Sequence, residues 1–281
     1  MTIQQIGNGG GLSPSTNSSF LINGNLLVDC GRNIYDKLHE LNIISFKDDK
    51  TITDVFITHT HDDHIGSLSA LIYFNYFIKN KITNVYAHKF VIDEIVNLMG
   101  DKHIRPEWDG PYDQNRLDTV DLDSKYRKYM MRFIELDSVT TTDLYVHNEP
   151  LCKVIDIKSK NVNNINLCTI PGKHGPYLNY GIIIKENNKI CMITGDTVAT
   201  SNLKVILNGL ATEVKLDMLD KVIVYHDYSK ADFKDNIHAC DSNINEEYGD
   251  LITEKYNKTN DLILKWYHDD TPIDSSIVTI F

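Results

Sequence analysis

The chain has 281 residues, of which 42% are hydrophobic and 24% are charged. That balance is typical of a folded globular protein and excludes an intrinsically disordered chain. The formal net charge of −11 at pH 7 disfavours a protein that clamps a long polyanion, because nucleic-acid binders present stripes of lysine and arginine.

The first elements predicted along the chain are two β-strands. Apolar runs flank the sequence Asn23-Gly24, which is a strong signal for a β-hairpin. Apolar spacing then predicts alternating strands and helices. These are Val55–Thr58, Gly66–Ile78, Thr83–Ala87 and Lys89–Met99.

The stretch from Asp101 to about Arg132 is polar and has no clear period, which predicts an insertion or lid within residues 101–166. Strands and one helix resume after it. They are predicted at Lys153–Ile157, Leu167–Ile170, Tyr180–Lys185, Lys189–Thr194, Ser201–Gly209 (the helix) and Lys221–Tyr225. Because strands and helices interleave without a linker-like segment, residues 1–281 are predicted to form a single α/β sandwich domain.

The five cysteines are widely spaced and include no C-x-x-C pair. This pattern predicts small buried residues in a reducing compartment rather than a disulfide framework. The sequence shows no charged-then-apolar leader, and no apolar run approaches the roughly 20 residues that a membrane span needs. A cytoplasmic protein without membrane contact is therefore expected.

The run His59-Thr60-His61-Asp62-Asp63-His64 places four candidate metal ligands within six residues. His59 and His61 are two residues apart at the end of an extended strand, so their imidazoles point to the same side. Asp63 and His64 follow in the turn into a helix, where they can face a second ion. Since ligands must meet within about 2.0–2.2 Å of an ion, this clustering predicts a metal site. A histidine-rich surface loop is the alternative, and the apolar strand before the run disfavours it.

This run, followed by Ile65-Gly66, resembles the signature of the metallo-β-lactamase superfamily. Other segments are similar to further motifs of that family and come in the right order. They are Gly9–Gly11, Asn17–Ser19, Leu27–Gly31, Thr169–Gly175, Ile193–Thr197 and His238–Cys240. The resemblance covers most of the chain and implies a four-layer αββα sandwich.

The resemblance also implies seven ligands for two divalent metal ions. The first ion would be bound by His59, His61 and His174. The second would be bound by Asp63, His64 and His238, with Asp196 bridging the two ions. A shared carboxylate reduces the repulsion between two cations, while imidazoles leave positions open for water and substrate. The ligand set favours zinc, and manganese or iron stay open because sulfur ligands are absent.

A second likeness concerns His226-Asp227-Tyr228-Ser229, which is similar to the His-Glu-Ala-Thr element of transfer-RNA 3′ processing nucleases. It implies that His226 is a general acid toward the leaving oxygen, although His226 and His238 compete for the place of the last ligand. Asp63 is expected to orient or deprotonate the attacking water. Asp29 either orients a ligand imidazole or caps a buried turn.

The phosphodiesterase branch of the superfamily fits these motifs best, and it implies hydrolysis of a small phosphodiester by water that two ions activate. The net charge favours a cyclic nucleotide over tRNA, and aromatic residues of the insertion are candidates for stacking a base. Those candidates are Trp108, Tyr112 and Tyr126, together with Arg127. Phage-encoded relatives of this branch degrade signalling nucleotides, which would place the protein in a host cytoplasm.

A homodimer is the expected assembly. Three alternatives stay open, namely a tRNA 3′-processing endonuclease, a thioester or lactone hydrolase of the same fold, and a binding protein without catalytic activity.

Overall fold

Two mixed β-sheets and the helices beside them make up the part of the chain that the computed structural model describes. The described residues are 1–99, 130–136, 155–157, 165–186, 189–204, 206–207, 221–229, 237–250, 262–267 and 278–279.

The first sheet has seven strands in the order β13-β1-β2-β3-β4-β5-β6. Their bounds are β1 Thr2–Gly7, β2 Ser19–Ile22, β3 Leu26–Val28, β4 Asp54–Phe56, β5 Thr83–Ala87, β6 Met131–Glu135 and β13 Val278–Thr279. Strands β1 to β3 pair antiparallel and β3 to β6 pair parallel. The predicted hairpin is confirmed, since Asn23 and Gly24 link β2 to β3 with φ angles of 50° and 74°.

The second sheet has six strands in the order β12-β11-β10-β9-β8-β7. Their bounds are β7 Ile155–Ile157, β8 Ile165–His174, β9 Tyr177–Glu186, β10 Lys189–Ile193, β11 Lys221–Asp227 and β12 Leu262–Tyr267. Strands β7 to β10 pair antiparallel, and β10 to β12 pair parallel.

Helices cover the outer faces of both sheets. They are α1 Ile34–Glu40, α2 Asp62–Ile65, α3 Leu68–Tyr73, a π-helical turn at Phe74–Ile78, α4 Lys89–Met99 and α5 Asp241–Asp250. Residues 201–204 and 206–207 are also helical. Within the described ranges, no helix combines the length and the apolar character that crossing a bilayer requires.

Three buried apolar clusters fill the spaces between these layers. One joins the first sheet to α1, α3 and α4, and another joins the second sheet to α5 and the helical residues near 203. The third lies between the sheets, where the rings of Phe20 and Tyr225 approach to 4.6 Å. Successive side chains of a strand point to opposite faces, and the central strands are continuous apolar runs. Apolar clusters therefore cover both faces of each sheet. The expected four-layer αββα sandwich is confirmed.

The interval that was expected to be an insertion contributes to both sheets. Met131–Glu135 pairs with β5, and Ile155–Ile157 pairs with β8. These segments therefore belong to the sandwich rather than to a lid. The lid candidates Trp108, Tyr112, Tyr126 and Arg127 lie outside the described residues.

Candidate metal centre

The predicted ligands come together where strands of both sheets end. His59, His61, Asp63 and His64 lie between β4 and α2. His174 is the last residue of β8, Asp196 follows β10, and His238 precedes α5. Parallel or neighbouring strands carry their following loops to one edge of the sandwich, so residues far apart in sequence meet there.

The set predicted for the first ion forms one group of ligand atoms. The ligand atoms of His59, His61, His174 and Asp196 all lie within 4.8 Å of one another. Nδ1 of His61 is 3.1 Å from Nε2 of His59 and 3.1 Å from Nε2 of His174. Oδ2 of Asp196 lies 3.8 Å from the same nitrogens of His59 and His174. This spacing leaves a centre that a single cation can occupy.

A second group contains Asp63, His64 and the other oxygen of Asp196. Nε2 of His64 is 3.1 Å from Oδ1 of Asp196 and 3.5 Å from Oδ2 of Asp63. The two carboxylate oxygens of Asp196 therefore face different groups, as a bridging ligand requires. The second group does not include His238, which was expected there. Nδ1 of His238 lies 3.8 Å from Oδ2 of Asp196 and 2.8 Å from Oδ2 of Asp227, and these three residues form a third group.

The protonation states of the imidazoles fit the binding of cations. Burial lowers the pKa of His59 well below its ordinary value, and the positive charge of His64 lowers it further. Burial and His174 likewise lower the pKa of His61. Neutral imidazoles that face each other present lone pairs to a common centre, which is the arrangement that a metal ion satisfies.

His64 differs from the other imidazoles because carboxylates surround it. Burial alone would lower its pKa, but Asp196, Asp29 and Asp63 together raise it well above its ordinary value. In the metal-free protein a proton on His64 therefore offsets part of this negative charge. A divalent cation can take over that task, so the donor set fits two metal ions.

Asp29 performs both of the tasks that its sequence context suggested. Its Oδ2 accepts a hydrogen bond from Nδ1–H of His64 at 2.8 Å, which leaves Nε2 to face the ligand group. Its carboxylate also accepts hydrogen bonds from the backbone N–H and the hydroxyl of Thr58, both at 2.8 Å. Asp29 itself has a φ angle of 61°. It therefore caps the strand-end turn and at the same time orients the imidazole of His64, a candidate ligand.

The turn that carries Asp196 depends on a glycine. Gly195 has a φ angle of 65°, and a methyl group there would overlap the amide of the buried Asn179. The Nδ2–H of Asn179 donates to the carbonyl of Thr194 at 3.1 Å. This close packing after β10 fixes where Asp196 leaves the strand.

The structure places His226 differently from the general acid that was expected. The side chain is fully buried, and its Nδ1–H donates to the carbonyl of Asp227 at 2.7 Å. Its Nε2 accepts from the hydroxyl of Tyr248 in α5 at 3.3 Å, and burial lowers its pKa. Among the described residues, the three groups of ligand atoms do not include His226. These contacts support a packing role beneath α5.

Two residues to which the sequence assigned no role lie at the site. The carboxylate of Asp227 is fully buried and faces His238. Tyr177, at the start of β9, is 55% exposed and packs its ring against those of His61 and His174. Side chains alternate between the two faces of the strand Lys221–Asp227. Because His226 and Val224 face α5, this alternation could have indicated that Asp227 faces the other side.

Comparison with known sequences gives matches to proteins of bacteriophages. Residues 1–111 match the family described as "Anti-Pycsar protein Apyc1". The protein of that name from Bacillus phage BSP38 is 38% identical over 81 residues, which are 27% of this chain and 30% of the relative. Its namesake from Bacillus phage vB_BsuM-Goe3 is 39% identical over 54 residues, 19% of each protein. The chain thus aligns with less than a third of the length of these curated relatives.

Comparison with solved structures identifies the fold. The unliganded yeast PDE1 superposes with a TM-score of 0.60 at 16% identity, over 97% of this chain and 89% of PDE1. Human tRNase Z, short form (ELAC1), superposes with a TM-score of 0.56 at 17% identity, over 100% of this chain and 99% of that enzyme. The metallo-β-lactamase fold protein YhfI from Bacillus subtilis superposes with a TM-score of 0.55 at 16% identity, over 97% of this chain and 88% of YhfI. The chain has the metallo-β-lactamase fold.

Proposed function

We propose that the protein is a metal-dependent phosphodiesterase with two metal ions, and that its substrate is a cyclic nucleotide. The observation that carries this proposal is the position of Asp196, whose two oxygens face two separate groups of buried ligands. A carboxylate between two cation sites is an arrangement suited to hydrolysis of a phosphodiester, in which attacking and leaving oxygens both need stabilisation.

His59, His61 and His174 would hold the first ion, and Asp63, His64 and His238 the second, with Asp196 between them. We propose zinc, because the set consists of imidazole and carboxylate groups. When bound, the two ions would act as Lewis acids that promote ionisation of water and neutralise the charge of the phosphoryl oxygens.

Asp63 is the residue that we propose to orient the attacking water. Its side chain is 9% exposed and lies beside Gly11, where an added methyl group would approach the carboxylate to 3.3 Å. A glycine at this point leaves space next to the carboxylate for a small molecule. Asp63 can thus accept a proton from water while it faces His64.

Charge and relatives support a small substrate. The net charge of −11 opposes the binding of a long polyanion. The N-terminal 111 residues resemble phage proteins named anti-Pycsar proteins, in agreement with the resemblance to phage-encoded enzymes that degrade signalling nucleotides. We therefore also propose that the protein acts in the cytoplasm of a host cell. The assembly that we propose is a homodimer.

A tRNA 3′-processing nuclease is the second candidate, because the superposition with human tRNase Z covers 99% of that enzyme. Both candidates can be tested with the zinc-loaded protein. The panel contains purine and pyrimidine 3′,5′-cyclic nucleotides, bis-p-nitrophenyl phosphate, a precursor tRNA, a thioester and a lactone. We expect turnover of a cyclic nucleotide to exceed that of every other natural substrate. Preferred cleavage of the precursor tRNA would favour the second candidate, and turnover of the thioester or lactone alone would refute phosphodiester hydrolysis.

A further inference from the structure

The loop between β1 and β2 carries a fully exposed leucine beside the proposed metal site. We propose that Leu12 is a specificity-determining residue, which packs against the base of a bound cyclic nucleotide. This inference deepens the proposed function and rests on it. It gives a role to an apolar side chain that folding leaves in water.

The exposure of Leu12 gains its meaning from the position of the residue. Leu12 is 100% exposed, and Leu98, at 65%, comes next among the large apolar residues of the described ranges. A single exposed leucine is common at protein surfaces. Leu12, however, directly follows Gly11, where an added methyl group would lie 3.3 Å from the carboxylate of Asp63. Since consecutive Cα atoms are about 3.8 Å apart, Leu12 lies at the rim of the second group of ligands.

The backbone holds Leu12 in a defined turn. In the β-turn Gly10–Ser13, the N–H of the last residue donates to the carbonyl of the first at 3.1 Å, so Gly11 and Leu12 are the two central residues. At the base of the loop, the N–H of Gly9 donates to the carbonyl of Thr16 at 2.8 Å. A side chain that is already held in place loses less conformational freedom when a ligand binds, so this turn is suited to recognition.

Arg32 ties the turn to the run that contains the candidate ligands. Its Nη2–H donates to the carbonyl of Gly11, and its Nε–H forms an ion pair with Oδ2 of Asp62 at 3.0 Å. Asp62 directly precedes Asp63 in the chain. A planar guanidinium donates to two acceptors in a fixed geometry that a lysine cannot reproduce. We assign Arg32 as a positioning residue, which acts on the substrate through the turn.

The chemistry of leucine indicates which part of a nucleotide it contacts. The charged phosphoryl oxygens of a substrate would lie at the ions, so the rest of the molecule extends toward the rim. An aliphatic side chain offers no partner to the hydroxyl of a ribose. It is suited to the flat face of a base, which proteins commonly pack between aromatic and apolar side chains. Leu12 is therefore assigned to the base.

The test compares substrates with and without a base, using the zinc-loaded protein. Steady-state kinetics would be measured with a 3′,5′-cyclic nucleotide and with ribose 3′,5′-cyclic phosphate. Leu12→Ala should raise KM for the cyclic nucleotide about 5- to 20-fold, because most of the apolar contact is lost. The rise should be much smaller for the analogue that lacks a base.

Two further variants control for the size of the side chain and for its position. Leu12→Met keeps the volume and the apolar character, so it should retain most of the affinity for the cyclic nucleotide. Leu98→Ala is the matched control, because it removes the same atoms from an exposed leucine near the C-terminal end of α4. Its kinetics should equal those of the wild type. Elemental analysis should give the same zinc content for all three variants, which separates a substrate contact from a loss of metal.

A double-mutant cycle tests whether Arg32 acts through Leu12. Arg32→Ala should raise KM for the cyclic nucleotide by a factor similar to that of Leu12→Ala, and Arg32→Lys should give a smaller rise. The variant with both alanines should bind no more weakly than Arg32→Ala alone, because the released turn no longer presents the leucine. Multiplied losses in the double variant would refute the positioning role of Arg32.

The remaining outcomes separate this inference from the proposed function. An unchanged KM in Leu12→Ala, or an equal rise with and without a base, would overturn the role of Leu12. If the wild type still hydrolyses the cyclic nucleotide, the proposed function stands in both cases. A wild type that hydrolyses bis-p-nitrophenyl phosphate but no cyclic nucleotide would refute the proposed substrate and the contact with its base together.

Discussion

The ring of Tyr177 stands edge-on to the imidazole of His61, with the ring centroids 4.5 Å apart and the planes at 74°. His61 is one of the proposed ligands of the first ion, and Tyr177 is more than half exposed. An aromatic ring that is open to solvent beside the proposed metal site is available to the flat base or the ribose of a nucleotide.

We therefore predict that Tyr177→Ala raises KM for a cyclic nucleotide by about 5- to 30-fold, which corresponds to the loss of about 1–2 kcal/mol of stacking. Steady-state kinetics would measure this change. Tyr177→Phe should keep most of the affinity, because stacking does not need the hydroxyl. Leu178→Ala changes the neighbouring exposed residue of the same hairpin and serves as the control. Equal effects at both positions would contradict a specific contact.

Metal content is the second prediction. Elemental analysis of the wild type should give about two ions per chain. Asp196→Ala should weaken the binding of both ions, since Asp196 faces both groups, whereas His61→Ala should affect mainly the first. Both variants should be inactive. A fully active wild type with one ion per chain would refute the site for two ions.

The roles of His226 and His238 can be separated by the choice of leaving group. The sequence suggested that His226 is a general acid, whereas its contacts with Asp227 and Tyr248 indicate packing. A general acid would matter only for the alkyl ester, because p-nitrophenolate leaves without a proton. If His226 only packs against α5, His226→Gln should lower the rate by a similar factor for both esters. A loss confined to the alkyl ester would restore the general-acid role. His238→Ala should lose metal and fail with both esters.

Stability against pH gives an independent test of His226. Burial lowers its pKa in the folded state below the ordinary value of 6.5. Below pH 6.5 the unfolded chain therefore binds a proton that the folded protein excludes. This contribution to stability is present above pH 6.5 and is lost as the pH falls toward the folded pKa, at about 1.4 kcal/mol per pH unit.

Urea unfolding of the metal-free wild type and of His226→Gln between pH 7.5 and 5 would measure this linkage. The free energy of unfolding of the wild type should fall more steeply on acidification than that of the variant. Parallel curves would show that His226 exchanges protons equally in both states. They would contradict its burial.

Two glycines with left-handed backbones offer a matched comparison of strain and packing. Gly24 and Gly195 have φ angles of 74° and 65°, but only Gly195 has a neighbour that an added methyl group would overlap, namely Asn179. Gly24→Ala should cost about 1–2 kcal/mol of unfolding free energy from backbone strain alone. Gly195→Ala should cost more and should also weaken metal binding, because Asp196 follows it. Equal costs in thermal unfolding would show that Asn179 moves aside freely.

The sequence predicted most of the regular strands and the contiguous part of the site, and the family resemblance added the distant residues His174 and Asp196, which the structure brings to it. His59 to His64 form a compact motif after an apolar strand, so local pattern was enough to identify them. Strand β1 was not predicted, because Thr2–Gly7 alternates weakly, and its place in the sheet depends on pairing with β2 and β13. The strand propensity of a single segment gives no information about partners that are distant in sequence.

The assignment of His226 shows a different limit. A motif likeness aligned the histidine with a catalytic group, yet the period of two along β11 turns it toward α5 and leaves Asp227 toward His238. Which of two adjacent side chains faces a site depends on register, and a shift of one residue exchanges the two faces of a strand.

The ligands are divided between the two sheets, and this division has a consequence for biosynthesis. During synthesis the first sheet supplies His59 to His64 early, but Asp196 and His238 follow more than 130 residues after His59. A nascent chain that ends before them can hold no bridged pair of ions. If the two ions bind as proposed, they would link the two sheets only after the later ligands have been synthesised, and an incomplete chain would lack the proposed phosphodiesterase activity.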